Sequence, residues 1–334
     1  MSTNHFIHLL DDLAMGGVTR ALENFKHPAL TTLGNHEVFD INRALPRNKL
    51  SGATVIIHFT ANWRKLPRLF DLRMRRKCKQ IILIEHSYTS GFERHNVENI
   101  GRFRQMLRLT YALVDTVVAV SGAQRDWMLA ADLVSPEKVV CIPQARDCSK
   151  LHEIEHTAPR SGQLNIGAYG RFHQQKGFDL LLQAMEGQPD HIQLKLAGSG
   201  DDAGLLKTLA MRSPNVTIVP AFKSPEAFLR SVDIVAIPSR WEAFGLVGLE
   251  ARAAGRPILA ADIDGLSDQI GISGFRHTAG NICSLRQAIQ LAASVRDLGI
   301  RGALAREEVA GAYENMIAGW QILLGESQPI PLAA

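Results

Sequence analysis

Two glutamates stand eight residues apart in the run Ser239-Arg240-Trp241-Glu242-Ala243-Phe244-Gly245-Leu246-Val247-Gly248-Leu249-Glu250, on either side of a glycine-bearing turn. An ionised carboxylate has only acceptor oxygens, and two of them match a pair of hydroxyl donors such as a ribose diol or a sugar. Read as a turn into a helix, the run puts Glu242 before the helix and Glu250 inside it, on the face shared with residue 246. The backbone N–H groups of Ala243, Phe244, Gly245 and Leu246 would then lie free at the helix start, able to bind phosphate or sugar oxygens. Upstream, Gly170-Arg171 through Lys176-Gly177 follows one apolar run and precedes a helical one. Two cations there can neutralise a diphosphate, Arg with a planar fork and Lys as a point charge. Solvated surface cations are the plainer reading, but the position at a strand end favours the functional one. Gly16-Gly17 precedes a helical stretch near Val18, where a glycine pair lets the backbone approach an anion. Alone it is an ordinary turn. His86 follows the apolar run Gln80–Glu85 and as a neutral imidazole could donate to a hydroxyl. Alone it reads as a strand terminus.

Positioning these groups requires strand ends, and the sequence is rich in them. Phe6–Leu10, Ala53–Phe59, Gln80–Glu85, Thr116–Val120 and Lys138–Ile142 are short apolar runs suited to buried strands. Helical stretches near 18–26, 62–77, 98–113 and 122–131 alternate with them. The polar segment 143–162 interrupts the pattern, which then restarts with strands at Leu164–Tyr169, Ile192–Ala197, Val216–Pro220, Ile234–Pro238 and Pro257–Ala261. Helices fit near 178–185, 202–211, 224–231, 246–254, 283–296 and 302–324. Strands alternating with helices imply an α/β protein with parallel sheets covered on both faces. We expect a first domain at 1–148, a linker at 149–162, a second domain at 163–310 and a C-terminal helix and tail at 311–334. In tandem α/β domains ligands bind beyond the carboxyl ends of the strands, in a cleft.

The bulk properties narrow the function. No apolar run approaches the roughly 20 residues of a membrane span, and Met1 to His8 lacks the pattern of a secretory leader. Cys78, Cys141, Cys148 and Cys283 form no CxxC pair and read as reduced thiols of a cytoplasmic protein. The net charge is +4, and eight Lys and Arg residues fall between Arg64 and Lys79 against the single acid Asp71. A solvated helix face and an anionic lipid surface both fit this run. Nucleic acid fits less well, because only Trp63 and Phe70 interleave as aromatics and no nucleic-acid module accompanies them.

In order and spacing these motifs resemble the group 1 family of retaining glycosyltransferases, whose fold is GT-B. The resemblance is strongest over Asn165–Asp264, in the stretches GAYGRFHQQKGFDLLLQAM, LKLAGSGDD and DIVAIPSRWEAFGLVGLEARAAGRPILAAD. GGVTRAL, IEHSY and VDTVVAVSGAQRDWM extend it into the first half. It implies two Rossmann-like domains facing across a cleft, with a C-terminal helix returning to the first. It also implies transfer of a hexose or derivative from a nucleotide-sugar, UDP before GDP, to a glycan or lipid-linked acceptor on the cytoplasmic side. Arg171 and Lys176 would hold the diphosphate, with Gly170 beside them and Gly16 and Gly17 reaching the same phosphates. Glu250 would bind the ribose, and Phe222 with Lys223 would flank the base. Glu242 and the amides of Ala243 to Leu246 would meet the transferred sugar, and His86 would lie near its reacting carbon. The chemistry implied needs leaving-group charge neutralised rather than a protein nucleophile, a metal or a cofactor. The chain departs from the family at Pro143–Asp147, where an Asn-Gly pair is usual, and at Asp264, where glycine is common. A sugar-nucleotide epimerase of the same fold, or a catalytically silent sugar-nucleotide-binding protein, would share much of this pattern.

Two local motifs point elsewhere. His152-Glu153-Ile154-Glu155-His156 has the spacing of a zinc protease helix but lies in the polar segment. Gly198-Ser199-Gly200 partly matches a dinucleotide fingerprint, without an acidic residue after the next strand. We read it as a loop.

Overall fold

The computed structural model describes residues 4–11, 21–42, 49–74, 78–155 and 162–325. The chain divides into two compact units, Met1–Arg146 with Tyr313–Ala334, and Asp147–Ala312. Among the described residues, no helix is long and apolar enough to cross a membrane.

The first unit is built on a six-stranded parallel sheet in the order β2-β1-β3-β4-β5-β6. Its strands are β1 (Asn4–Leu10), β2 (Gly34–Asp40), β3 (Thr54–Ile57), β4 (Gln80–Glu85), β5 (Thr116–Ala119) and β6 (Val139–Cys141). Central strands are largely apolar, as TVII in β3 and TVVA in β5, because helices cover both faces of a parallel sheet. The sheet order reverses between β1 and β3, so the loops leaving these strands diverge and open a crevice at their carboxyl ends. The helices that follow the strands start at side-chain caps. Thr89 accepts from the Phe92 amide, Asn99 from Arg102 and Ser121 from Gln124. The C-terminal helix Ala312–Gly325 packs on this unit, with Trp320 edge-on to Phe25 at 4.9 Å.

The second unit carries β7 (Leu164–Arg171), β8 (Ile192–Ser199), β9 (Val216–Val219), β10 (Ile234–Ile237), β11 (Ile258–Asp262) and β12 (Phe275–Thr278). Its order is β12-β11-β10-β7-β8-β9, all parallel, which is the doubly wound Rossmann order with its reversal between β7 and β10. The helix Phe178–Met185 buries Phe178, Leu181, Leu182 and Met185. Each such side chain contributes roughly 1.5–3 kcal/mol by leaving water.

The expected strands form, but two more appear, β2 and β12. Both are edge strands with half-polar sequences, GNHEVFD and FRHT, because only one side of each is paired and covered. The helix expected near 302–324 is two helices, Leu298–Glu308 and Ala312–Gly325. Gly311 separates them with φ +79°, a left-handed conformation that ends a helix. Residues 149–152 form a short helix, and Leu151 and Ile154 are buried in the second unit.

Candidate functional site

In the second unit, β7 ends at Gly170-Arg171 and passes through the turn Gln174–Lys176 into the helix Phe178–Met185. Gly177 makes that passage with φ +64°, and a Cβ there would stand 2.1 Å from the Pro238 carbonyl oxygen. Only glycine permits this closeness, and it presses the loop after β7 onto the loop after β10. The same two loops are tied by the Arg240 amide donating to Gln175 O at 2.7 Å and by Gln175 Nε2 donating to Trp241 O at 3.1 Å. Arg240 also forms a two-pronged pair with Asp179, at 2.8 and 2.7 Å. Gly198 and Gly200 have a packing role: a Cβ on either would lie within 2.4 Å of the Gly170 or Phe172 carbonyl oxygen.

This frame brings Lys176 and Glu242 together. Lys176 Nζ lies 2.5 Å from Glu242 Oε2, and the Ser239 hydroxyl donates to the same oxygen at 3.3 Å. The Glu242 amide in turn donates to Asp264 Oδ2 at 3.2 Å. Asp264 adopts φ +44°, a left-handed conformation that glycine takes freely and Asp tolerates. Its carboxylate therefore braces the backbone of the Glu242 loop. Gly245, at φ +92°, precedes the helix Leu246–Ala253 and supplies no side-chain cap, so no side chain of the cap position competes for the first-turn amides. Arg171 is exposed and makes no ion pair with another described residue.

The second unit holds another couple. The Tyr169 hydroxyl donates to Glu250 Oε2 at 2.7 Å, and both residues are buried. The Tyr169 ring is 5.3 Å from Phe222, which itself tilts against Phe228 at 5.1 Å. Gln269 Nε2 donates to the carbonyls of Phe244 and Gly245, while its buried Oε1 has no partner among the described residues. The second unit thus gathers Gly170, Arg171, Lys176, Phe222, Glu242, Ala243–Leu246 and Glu250 around the carboxyl ends of its strands.

In the first unit, His86 follows β4, and the turn that carries it is tightly held. Glu85 Oε1 accepts from the amides of Ser87 and Tyr88 at 2.9 and 3.0 Å, and the Tyr111 hydroxyl donates to Glu85 Oε2 at 3.0 Å. Burial nevertheless raises the Glu85 pKa. Gln124 Nε2 donates to the carbonyls of Glu85 and Tyr88 at 3.0 and 2.8 Å, and the Thr60 and Ser87 hydroxyls meet at 3.1 Å. His86 is half-buried, and desolvation lowers its pKa to about 4, so the imidazole is neutral at pH 7. Gly16 and Gly17 lie outside the described residues.

Against known proteins, residues 163–295 match the family model described as Glycosyl transferases group 1. The match covers most of the second unit. A D-inositol 3-phosphate glycosyltransferase of Segniliparus rotundus is 31% identical over 173 residues, covering 46% of this chain and 38% of that protein. The chain thus spans well under half the length of that curated relative. Among solved structures, Anabaena HepE in complex with UDP and glucose aligns with a TM-score of 0.72 at 16% identity, covering 96% of this chain and 99% of HepE. WaaG, a glycosyltransferase involved in lipopolysaccharide biosynthesis, aligns at 0.67 and 14% identity, covering 96% and 100%. Such low identities establish the α/β fold of the two-unit chain and nothing finer.

Within the matched segment, the structure pairs Lys176 with Glu242 and, through Tyr169, sets Glu250 near Phe222. Tyr169, Ser239 and Gln269 were not singled out; the only sequence signal for Tyr169 is its place inside the GAYGRF stretch. The competing motif at 152–156 does not ride on a helix, since the helix Ser149–His152 stops at its first histidine; His156 lies outside the described residues. In the basic run, Lys65 pairs with Asp11, Arg68 donates to the Ile41 carbonyl and Arg73 pairs with Asp115 at 2.5 Å. Arg75, Arg76 and Lys77 lie outside the described residues.

Proposed function

We propose that the protein is a retaining, metal-independent glycosyltransferase. It would move a hexose or hexose derivative from a UDP-sugar to a hydroxyl of a glycan or lipid-linked acceptor in envelope or polysaccharide assembly. One observation carries the proposal. The Lys176–Glu242 pair, exposed Arg171 and the Tyr169–Glu250 couple meet where the sheet order reverses, inside the segment that matches the family model.

In this reading the donor diphosphate enters beside Arg171 and draws Lys176 from Glu242. The negative charge that grows on the leaving diphosphate is then met by two fixed cations. Released from Lys176, Glu242 turns its acceptor oxygens to the hydroxyls of the transferred sugar, with the amides of Ala243 to Leu246 alongside. Glu250, already oriented by the Tyr169 hydroxyl, takes the ribose, and Phe222 offers a ring to the base. In the first unit, Gly16 and Gly17 would approach the phosphates and His86 would contact a sugar hydroxyl. UDP is preferred because the similarly folded HepE was solved with UDP and glucose, and an envelope role because WaaG acts in lipopolysaccharide biosynthesis. The helix Leu66–Met74 leaves Phe70 and Met74 exposed beside basic residues, which supports contact with an anionic, cytoplasmic membrane surface.

The test is a thermal-shift screen against UDP, GDP, ADP and their sugar conjugates. Saturation at about 100 Kd adds about 2.7 kcal/mol of apparent stability. We expect the largest shift with a uridine nucleotide and a much smaller one in Glu250→Ala. Folded protein that shifts with none of these nucleotides overturns the proposal. Release of free nucleotide without sugar transfer would instead favour the epimerase reading.

A further inference from the structure

Four histidines form a continuous hydrogen-bonded row in the first unit. His86 Nε2 meets His58 Nδ1 at 3.4 Å, His58 Nε2 meets His8 Nδ1 at 2.9 Å, and His8 Nε2 meets His36 Nδ1 at 2.9 Å. The row ends where His36 Nε2 meets the carbonyl oxygen of Leu30 at 3.3 Å. His8 and His58 are 1% and 2% exposed. Phe25 covers the row, with its ring 4.5 Å from His8 and 6.0 Å from His58.

The sheet explains how residues so far apart in sequence line up. His36 is on β2 opposite Phe6, two residues before His8 on the neighbouring β1. His8 is opposite Ile56, two residues before His58, which directly follows β3. Ile56 is opposite Ile82, so His86 stands level with Thr60, two residues beyond His58. Each histidine is one strand over and two residues further along. The period of two keeps all four on one face. Same-face diagonal neighbours are about 7–8 Å apart, a gap an imidazole pair can close.

The direction of the row follows from its end. A carbonyl oxygen can only accept, so His36 must carry its proton on Nε2. His36 Nδ1 is then a lone pair and His8 must donate from Nε2. The same step repeats through His58 to His86. The opposite direction would set a lone pair of His36 against the Leu30 oxygen. Burial supports four neutral rings, because desolvation lowers the pKa of His8 to about 3 and of His86 to about 4, and lowers those of His36 and His58 as well.

We infer that His36, His8 and His58 are positioning residues that lock His86 in its Nε2–H tautomer, so that its Nδ1 is presented as a hydrogen-bond acceptor for a sugar hydroxyl. Among the described residues His86 Nδ1 has no partner. This reverses the sequence expectation that His86 donates, and it rests on the proposed contact of His86 with a sugar. The acceptor then selects ligands by a hydroxyl that can donate, and discriminates against a deoxy or O-methyl sugar at that position.

The test uses the full chain with 15N-labelled histidine at pH 8, where long-range 1H–15N spectra distinguish the two tautomers. We expect all four histidines as fixed Nε2–H forms. His86 as Nδ1–H, or as an average of both forms, overturns the inference. In His58→Phe, which removes the acceptor of His86 Nε2–H, the His86 signals should change from fixed to averaged, and kcat/KM should fall roughly fivefold, the worth of about one hydrogen bond. His8→Phe is the second cut if His58→Phe does not fold, and it should free both His58 and His86. A His86 that stays locked after a cut overturns the inference. Titration of the wild type with UDP-glucose separates the two layers. A locked His86 whose Nδ1 signal is unmoved by bound UDP-glucose overturns the sugar contact and leaves the tautomer result standing.

Discussion

In the first unit four neutral imidazoles run diagonally across the sheet, from His36 within β2 to His86 just past the carboxyl end of β4; in the second, paired ions stand on glycine-shaped loops. Both arise from the same parallel-sheet geometry, which sends loops out at one end and opens a crevice where the order reverses. The difference lies in what supports the side chains. The histidine row stands partly on the strands, where burial forbids charge, so orientation is passed on by hydrogen bonds. Lys176 and Glu242 stand on loops, 21% and 12% exposed, where water still reaches and charges survive by pairing. On the proposed function, the first unit would supply directed dipoles and the second would supply charge to a departing anion.

Acid should separate the two most strongly. A histidine whose folded pKa lies below its unfolded value costs almost nothing well above pH 6.5. Its penalty grows as pH falls from 6.5 towards the folded value, because only the unfolded chain takes up the proton. For His8, with a folded value of about 3, moving from pH 6.5 to 4.5 removes about 2 kcal/mol, and His58 and His86 act in the same direction. Glu85, raised by burial, partly offsets this by favouring the folded state at low pH. Hydrogen exchange of β1 and β3 amides should accelerate on acidification before that of β7 and β8. Equal acceleration in both sheets would remove the contrast.

Lys176→Ala should lower sugar transfer by about 10²–10³-fold with an unchanged circular-dichroism spectrum, the range seen when one fixed group stabilising a developing charge is lost. A loss under tenfold would mean that the Lys176–Glu242 pair is structural, and the charge-supplying role would leave the second unit. The smallest effect belongs to Tyr169→Phe. It removes one hydrogen bond to a carboxylate, worth about 1.5–3 kcal/mol, and should weaken nucleotide affinity more than it lowers the melting temperature. An unchanged affinity with a lower melting temperature would make the Tyr169–Glu250 couple a core contact.

Much of the fold and of the second unit's site could be read in the sequence. Apolar runs such as IILIE and IVAI announce central strands because burial on both faces demands them. Arg171, Lys176, Glu242 and Glu250 were visible because the loops after β7 and β10 are each continuous in sequence. The edge strands β2 and β12 were not visible, since their half-covered faces tolerate His36, Glu37 and Arg276. Tyr169 passed for an ordinary strand residue because its carboxylate partner is 81 positions away.

The sequence by itself determined the alternation of strands and helices, the glycines that open the loops and the identities of the charged groups at the strand ends. These are local matters of burial, backbone freedom and charge. Only the tertiary structure decided which of those groups meet: that Lys176 closes on Glu242, that Asp264 braces the Glu242 loop, and that four histidines 28, 50 and 28 residues apart fall on one diagonal. No local pattern encodes that diagonal. It exists because the strand order β2-β1-β3-β4 and the register between those strands set the four rings side by side.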